Sequence, residues 1–420
     1  MCDEQEAGVL TAPLATVADT RTPIVYGIVQ PGPESPGGVP FVQSRDVGGA
    51  VEVHALQRTS PEIAEQYRRS KIAPGDILFS LRGNIGQSSI TPAELDGANI
   101  ARGVARIRVG ANGDPEFVRY VLQGPALQRL IARNANGSTF RELSIEELRK
   151  LPIPDVGLPK QRKIAEILRT WDEALEKLTA LRAAKLKRHR GLTMGLVFGR
   201  WRLHSFRTTD EVAPYRWFKL PASWSCQPIG DLAKEISERN GERGQHEVLS
   251  CSKHDGFVRS LEYFKKRIYS TDLSGYKKIW RGDFGFPSNH VEEGSIGLQN
   301  LTDIGVVSPI YTVFRFNSDE VNARYAIAVL KTGLYRHIFE VSTSASVDRR
   351  GSLRWREFSR LPFPLPPLAE QEAIAEVIWT SRRELDALTD EIDAVSRQKR
   401  GLMQKLLTGE WRVKREEELA

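Results

Sequence analysis

Apolar side chains recur at alternating spacings of four and three along two long stretches, residues 159–198 and 369–407, and this pattern predicts two long amphipathic helices. Prolines stand just before both stretches, as expected where an extended segment enters a helix. The apolar seam of the second stretch consists of Ile374, Ile378, Leu385, Leu388, Ile392, Val395, Leu402 and Leu406. The seam of the first begins with Ile164, Leu168, Trp171, Leu175 and Leu178. Its later positions, Arg182, Lys185 and His189, are polar.

The two stretches belong to an internal repeat with a period of 210 positions. Gln161 returns as Gln371, residues 151–154 return as 361–364, and residues 199–202 return as 409–412. A period this long indicates two homologous halves related by an approximate twofold symmetry. We predict that the helices pack on each other as an antiparallel coiled coil. Two unrelated surface helices, or contact between the charged half of the first helix and another subunit, remain alternatives.

Outside the helices, two glycine-rich and proline-rich blocks show short β-like runs followed by an apolar, helical patch. In the first block the runs are residues 51–54, 77–81 and 104–109, and the patch is residues 117–131. In the second block the clearest strand is residues 311–316, and the patch is residues 321–339. We therefore predict an α+β fold, with two globular mixed α/β domains separated by the two long helices.

Composition adds three constraints. The 60 Lys and Arg residues exceed the 53 Asp and Glu residues, which gives a net charge of +7 and permits a polyanionic partner. The three cysteines, Cys2, Cys226 and Cys251, form no C-x-x-C pair, which favours a reducing compartment. The acidic N-terminus does not have the form of a signal peptide, and no apolar run is long enough for a membrane span. We expect a cytoplasmic protein with no membrane partner.

The sequence carries no motif of an active site. Neither a phosphate-binding G-x-x-x-x-G-K-[ST] loop nor a G-x-G-x-x-G loop after a strand occurs. Asp76 and Asp283 each follow a glycine before an apolar strand, and we interpret both as turn formers. His246, Cys251 and His254 lack a fourth metal ligand nearby, so we predict no metal site. The protein is predicted to be non-catalytic and to hold no cofactor.

The repeated motifs resemble those of one known family, the specificity subunits of type I restriction-modification enzymes. Each copy has Leu-Pro-x-Pro, then Gln-x-x-Ile-Ala-Glu at the start of a long helix, and ends with Gly-x-Trp-Arg. In the first block, residues 74–78 and 83–86 look like the family's Gly-Asp-Ile-Leu strand and glycine turn. Residues 281–284 and 294–297 look like their second copy.

This resemblance implies two target-recognition domains, residues 1–150 and 205–360, each reading one half of a bipartite DNA site. It implies that spacer helices over residues 151–204 and 361–420 set the spacing and dock two adenine methyltransferase (modification) subunits. Restriction and translocase subunits would join them, and the partners would use S-adenosylmethionine, ATP and magnesium. The alternative is a bivalent DNA-binding scaffold or regulator that acts without a restriction subunit.

Target-recognition domains diverge where they touch bases, so the DNA-contact candidates come from side-chain chemistry. Arg and Lys read guanine, Asn and Gln read adenine, and Ser, Thr and Lys also hold phosphates. The candidates in the first block are Arg45, Arg82, Asn84, Gln87, Arg102 and Thr139. Those in the second block are Lys253, His254, Lys277, Lys278, Arg281, Ser288, Asn289 and His290.

The predicted residues for helix pairing and subunit docking are the two apolar seams, the second as far as Val395, together with Gln161 and Gln371. The two helix starts differ in charge, because Lys160 and Arg162 stand where the second copy has Glu370 and Glu372. This reversal either makes the two docking surfaces inequivalent or has no functional meaning.

Overall fold

The computed structural model describes residues 10–135, 141–207, 211–242, 244–289, 291–343, 352–411 and 413. The chain forms two compact units. Unit 1 comprises Met1–Thr179 and Asp390–Ala420, and unit 2 comprises Ala180–Thr389. Each long helix is divided between the units, so the units do not coincide with the four predicted domains, which remain a prediction.

Unit 1 contains two small sheets, a two-stranded ribbon and helices packed around them. Its strands are β1 Thr11–Pro13, β2 Val25–Tyr26, β3 Val39–Val42, β4 Arg58–Thr59, β5 Ile77–Ser80, β6 Ser88–Ile90, β7 Asn99–Ile100, β8 Val104–Ile107 and β9 Pro152–Pro154. Its shorter helices are α1 Leu14–Val17, α2 Pro61–Gln66, α3 Pro115–Gln123, α4 Pro125–Asn134 and α5 Ile145–Lys150, and the long helix α6 spans Leu158–Val197. The sheet orders are β2-β8-β5-β6 and β4-β3-β7, and β1 pairs with β9.

Unit 2 repeats this plan with additional strands. Its strands are β10 Val212–Pro214, β11 Lys219–Pro221, β12 Ser225–Pro228, β13 Ala233–Glu235, β14 Glu247–Ser252, β15 Gly256–Arg259, β16 Lys277–Trp280, β17 Phe284–Pro287, β18 Gly297–Leu298, β19 Ile304–Val307, β20 Tyr311–Phe316 and β21 Pro362–Leu365. Its helices are α7 Ile229–Leu232, α8 Ser260–Phe264, α9 Ala323–Leu330, α10 Gly333–Ser342, α11 Trp355–Phe358 and the long α12 Leu368–Thr408.

The two units share sheet topology as well as helix sequence. The order β13-β20-β17-β18 in unit 2 matches β2-β8-β5-β6 in unit 1. The parallel pair β14 and β19 matches the parallel pair β3 and β7, and each pair is flanked by an antiparallel neighbour. The predicted α+β class and internal duplication are confirmed.

Most predicted elements agree with the structure, with three differences. Residues 321–339 form two helices, α9 and α10, because Thr332 caps the start of α10. Residues 51–54 form no strand; Val53–Ala55 is a short 3-10 helix, because an isolated apolar run without a pairing neighbour has no ladder to join. Residues 117–131 are two helices, because Gly124 ends α3 and Pro125 starts α4. The predicted strand over 311–316 is confirmed as β20.

The apolar seam residues nearest the helix starts pack into the cores of the globular domains. Ile164 and Leu168 belong to the main core of unit 1, and Ile374 and Ile378 belong to that of unit 2. This corrects the prediction that these residues pair the two helices. A heptad pattern shows that one face is buried but does not show what buries it.

Gln161 and Gln371 attach each long helix to its own domain and are not pairing residues. The Gln371 side chain accepts the backbone N–H of Asn322 at 2.9 Å and donates to the carbonyl oxygens of Glu320 and Pro366 at 2.8 and 2.9 Å. The Gln161 side chain likewise accepts the N–H of Asp114 at 2.8 Å and donates to Val156 at 2.7 Å. Both amides are buried. Docking of a partner through these side chains is therefore ruled out by their position.

We expect Gln371→Ala to lower the free energy of unfolding of unit 2 by about 1–3 kcal/mol for each backbone group left buried without a partner. Urea unfolding monitored by circular dichroism measures the change. Gln245→Ala, the same substitution at an exposed position of unit 2, is the control and should change stability by less than about 0.5 kcal/mol. Equal effects of the two substitutions would contradict the role given to Gln371.

The middle parts of the two helices run antiparallel and contact each other through polar side chains. Within unit 2, Arg182 donates to Thr389 at 2.8 Å, Lys185 to Glu384 at 2.8 Å, and His189 lies 3.2 Å from the Ser381 hydroxyl. Burial is the main cause that lowers the pKa of His189, which favours its neutral form. The polar half of the first helix therefore faces the second helix.

Other seam residues lie in this helix-pairing region. Leu385 and Leu388 are buried on the face of α12 that also carries Ser381 and Glu384. The seam residues Trp171, Leu175, Leu178, Ile392 and Val395 are half-buried. In unit 1, Lys399 of α12 forms an ion pair with Asp172 of α6. The predicted antiparallel helix pair is confirmed within each unit.

In unit 2 the charge reversal at the helix starts has a structural consequence. Glu370 is buried and accepts two hydrogen bonds from the Arg202 guanidinium at 2.6 and 3.0 Å and one from the Trp224 indole at 3.0 Å. It therefore belongs to the interior and not to a docking surface. In the first copy the equivalent position is Lys160, and Arg412, which corresponds to Arg202, lies outside the described residues.

Across the described ranges, we find no helix with the length and apolar character needed to span a membrane.

Candidate nucleic-acid interface

A Gly-Asp turn precedes the inner strand β5 in unit 1, and an equivalent turn precedes the inner strand β17 in unit 2. Asp76 accepts the backbone N–H of Ala73 at 2.8 Å, and Asp283 accepts that of Trp280 at 2.7 Å. The preceding glycines have φ of 86° and 92°, a region that favours glycine. The predicted turn role of both aspartates is confirmed.

Each of these buried aspartates also forms an ion pair that the sequence did not predict. Asp76 pairs with Arg108 at 2.7 Å, and Asp283 pairs with Arg315 at 2.6 Å. The aspartate raises the pKa of each arginine through a side-chain hydrogen bond. The pairs tie the inner strand to its neighbour and so fix where the loop after that strand emerges.

In unit 1, three loops that are distant in sequence converge and bring together Arg45, Arg82 and Arg102. The Gly103 carbonyl oxygen accepts from both the Ser44 hydroxyl and the Leu81 backbone N–H, each at 2.8 Å. Arg45 and Arg102 are exposed. We name Arg45, Arg82 and Arg102 the arginine cluster. Three guanidinium groups on adjacent loops present several donors that suit phosphate oxygens and guanine edges.

Arg82 is held in place within this cluster, and Gln87 lies in the same turn. Arg82 forms an ion pair with Glu142, which raises the pKa of the guanidinium. Gln87 is exposed at the end of the turn. The structure therefore brings four of the sequence candidates of unit 1 onto neighbouring loops.

Asn84 has a different role from the base reading that we predicted. Its amide nitrogen donates to the Val47 carbonyl oxygen at 2.7 Å, and its amide oxygen accepts the Ser80 hydroxyl at 2.6 Å. Both polar ends of this half-buried side chain are thus engaged inside the domain. Asn84 holds the turn that carries Arg82 and Gln87, so we assign it a positioning role.

In unit 2, Lys253 and His254 are exposed at the tip of the β14–β15 hairpin. The Lys331 ammonium donates to the carbonyl oxygens of Lys253 at 3.1 Å and of Gly294 at 2.9 Å. Burial lowers the pKa of Lys331. This lysine joins the hairpin tip to the glycine turn and was not singled out by the sequence, because nothing in its local pattern marks it.

The remaining candidates of unit 2 are less available to DNA. Ser288 is buried, and its hydroxyl donates to the Ile310 carbonyl oxygen at 2.8 Å. Lys277 is half-buried and donates to the Tyr311 carbonyl oxygen at 2.6 Å. Lys278 pairs with Glu238 at 2.8 Å and Arg281 with Asp303 at 3.1 Å. The predicted contact role of Ser288 is wrong, because its hydroxyl faces the interior.

Asn289 is half-buried in the loop after β17. The candidates Thr139 and His290 lie outside the described residues.

The strand register corrects the alignment of the two glycine motifs. Ile77 pairs with Ile90 in unit 1, and the equivalent Phe284 pairs with Leu298 in unit 2. Gly86 and Gly294 each lie four residues before the second member of their pair, so these two glycines are equivalent. The sequence motifs had matched Gly86 with Gly297, three residues further on. Strand pairing overrides a short motif because register is set along the whole hairpin.

This register exposes one candidate that the sequence missed. In unit 1, Gln128 of α4 donates to the Gly86 carbonyl oxygen at 2.9 Å. The equivalent position on α10 is Arg336, which is exposed, and its Cδ lies 3.2 Å from where a Cβ of Gly294 would stand. Arg336 therefore lies at the glycine turn, next to the loop that Lys331 joins to the hairpin tip.

The described residues do not bring three potential metal ligands together anywhere. The Cys251 side chain is half-buried, and desolvation raises the pKa of its thiol to about 12. A neutral thiol is a poor metal ligand.

Comparison with known proteins gives consistent results. A family model described as the type I restriction modification DNA specificity domain matches residues 32–188. Over 169 residues the chain is 30% identical to the type I restriction enzyme EcoBI specificity subunit of Escherichia coli. The aligned residues make up 39% of this chain and 35% of that protein. The chain is also 23% identical over 228 residues to the type I restriction enzyme MjaIX specificity subunit of Methanocaldococcus jannaschii. That alignment covers 53% of this chain and 51% of that protein. These matches thus span between about a third and a half of the curated relatives.

The fold comparison extends over nearly the whole chain. The crystal structure of the type I restriction-modification system S subunit from M. genitalium superposes with a TM-score of 0.55 at 15% identity, covering 97% of this chain and 98% of that one. At this identity the match concerns the fold. Residues 32–188 thus match a DNA specificity domain, and over nearly its whole length the chain has a fold similar to that of an S subunit.

Proposed function

We propose that the chain is the non-catalytic DNA sequence-specificity subunit of a type I restriction-modification complex. In this proposal each domain reads one half of a bipartite site in double-stranded DNA. The observation that carries it is the convergence of the arginine cluster on loops within the matched specificity domain. Arginine provides both phosphate contacts and guanine recognition. The hairpin tip with Lys253 and His254, together with Arg336, is the corresponding candidate surface of unit 2.

We further propose that the two long helices set the spacing between the half-sites and dock two adenine methyltransferase subunits. Restriction and translocase subunits would complete the complex, and the partners would use S-adenosylmethionine, ATP and magnesium. The contacts between α6 and α12 within each unit support the spacer role, because a helix has a fixed rise of about 1.5 Å per residue.

The proposal is tested by mapping modified adenines in a host that expresses this chain with its methyltransferase. We expect one bipartite motif that disappears when the chain is deleted. Inserting seven residues after both Leu178 and Leu388 keeps the heptad register and adds about 10 Å, which corresponds to about three base pairs. The gap of the motif should grow while both half-sites remain unchanged.

Insertion after Leu178 alone is the matched control. It shifts Arg182 and Lys185 away from Thr389 and Glu384, so methylation should be lost and not re-spaced. An unchanged gap in the doubly extended protein would overturn the spacer role. Absence of any motif that depends on the chain, although the chain binds duplex DNA, would favour the alternative of a DNA-binding scaffold without a methyltransferase.

A further inference from the structure

Unit 1 has an apolar groove of about 360 Å³ that opens beside helices α3 and α4, strand β9 and the end of α12. Ala126, Leu127 and Leu130 line one side, and Leu407 and Thr408 line the other. None of its lining residues is charged. A groove of this kind suits an apolar side chain and offers nothing to a phosphate, so it is separate from the DNA-binding surface proposed above.

The internal duplication identifies the equivalent place in unit 2. Gln161 accepts the backbone N–H of Asp114, and Gln371 accepts the backbone N–H of Asn322 in the same way. Asp114 and Asn322 are therefore equivalent, and α3 and α4 correspond to α9 and α10 with a shift of 208 positions. By this shift Leu127 corresponds to Tyr335. The helix repeat, with its shift of 210, makes Thr408 correspond to Phe198.

In unit 2 this place is filled and covered by aromatic side chains. The rings of Phe198 and Tyr335 stack with centroids 6.5 Å apart. Phe218 packs on Phe198 at 5.2 Å, and its neighbour Trp217 packs edge-on against His337 of α10 at 6.1 Å. The cover is thus a pair of adjacent aromatic residues on the segment that leads into β11.

The groove of unit 1 has no such cover among the described residues. Its lining contains no aromatic residue, and the positions of Phe198 and Tyr335 carry the smaller Thr408 and Leu127. Leu10, next to the lining residue Thr11, is 79% exposed. An open apolar surface of this kind marks a place for a partner.

We propose that this groove binds an extended segment of another polypeptide that carries two adjacent aromatic residues. The segment occupies in unit 1 the place that Trp217 and Phe218 occupy in unit 2. Aromatic residues that enter a preformed pocket are the usual anchors of protein interfaces. The partner therefore contributes what the second copy of the repeat supplies from its own chain.

A synthetic peptide of residues 213–224, labelled with a fluorophore, is the probe, and its anisotropy is measured with the full chain. We expect saturable binding. Ala126→Trp, which fills the groove from an exposed position, should weaken binding at least tenfold. Ala132→Trp makes the same change on an exposed position of the same helix outside the groove and should leave binding unchanged. The same peptide with Trp217→Ala and Phe218→Ala should not bind.

Thr408→Phe copies the residue found in unit 2 and provides a second filling variant, and circular dichroism checks that both variants fold. Equal binding to the wild-type chain and to the filled variants would place the peptide elsewhere and overturn the proposal. So would the absence of saturable binding to the wild-type chain. Binding only after removal of residues 1–9 would assign the groove to the chain itself and would equally overturn it.

Discussion

Replacing Arg202 by alanine is expected to lower the free energy of unfolding of unit 2 by about 3–5 kcal/mol. The Glu370 side chain is 1% exposed and that of Arg202 is 8% exposed. The substitution therefore leaves a carboxylate in the interior that keeps the hydrogen bond from the Trp224 indole but loses its cationic partner. Removal of one partner of a buried ion pair is costly because the other charge is neither hydrated nor neutralised. For a unit of this size the thermal midpoint should fall by about 6–20 °C.

Thermal unfolding followed by circular dichroism measures this effect. Adding Glu370→Gln to the Arg202→Ala variant should restore part of the stability, because a neutral amide is less costly to bury than a carboxylate. Lys160→Ala, at the equivalent position of the first copy, is the matched control and should change stability by less than about 0.5 kcal/mol. A similar loss for Lys160→Ala, or no loss for Arg202→Ala, would contradict the structural role of this pair.

The double substitution Arg45→Ala and Arg102→Ala should weaken specific DNA binding by about 2–6 kcal/mol if both guanidinium groups reach base edges, at about 1–3 kcal/mol each. Both side chains are exposed, and the loops that carry them are joined through Gly103. Fluorescence anisotropy measures the loss of binding affinity at several salt concentrations. The cognate duplex carries the bipartite motif found by adenine mapping, and a scrambled duplex is used for comparison. The fold should be preserved because neither guanidinium is buried.

The salt dependence distinguishes the two kinds of contact. Lost phosphate contacts should weaken binding to both duplexes. They should also lower the slope of the logarithm of the binding constant against the logarithm of the salt concentration by about one for each contact. Lost base contacts should affect only the cognate duplex. Arg21→Ala with Arg169→Ala, two exposed arginines of unit 1 outside the arginine cluster, is the control pair. If the cluster variant and the control pair bind equally well, the arginine cluster is not part of the DNA interface.

Side-chain chemistry alone predicted part of the candidate DNA interface. Arg45, Arg82, Gln87 and Arg102 were chosen for their chemistry, and the fold places them on neighbouring loops. Asn84 and Ser288 were chosen on the same grounds, but the first holds a turn and the second faces the core. Their chemistry is the same whether they meet a base or a backbone carbonyl, so the sequence could not distinguish the two uses.

The sequence by itself determined that the protein is duplicated, that each copy has one long helix and that the globular parts mix strands and helices. Local periodicity and the internal repeat indicate these features, and both can be recognised in the chain without knowledge of its tertiary contacts. Only the tertiary structure decided which neighbours bury each seam. Ile164 and Ile374 pack into domain cores, whereas Leu385 and Leu388 lie on the helix-pairing face. The true register of the glycine turns and the burial of Glu370 likewise depend on contacts between residues far apart in the chain, which no local pattern encodes.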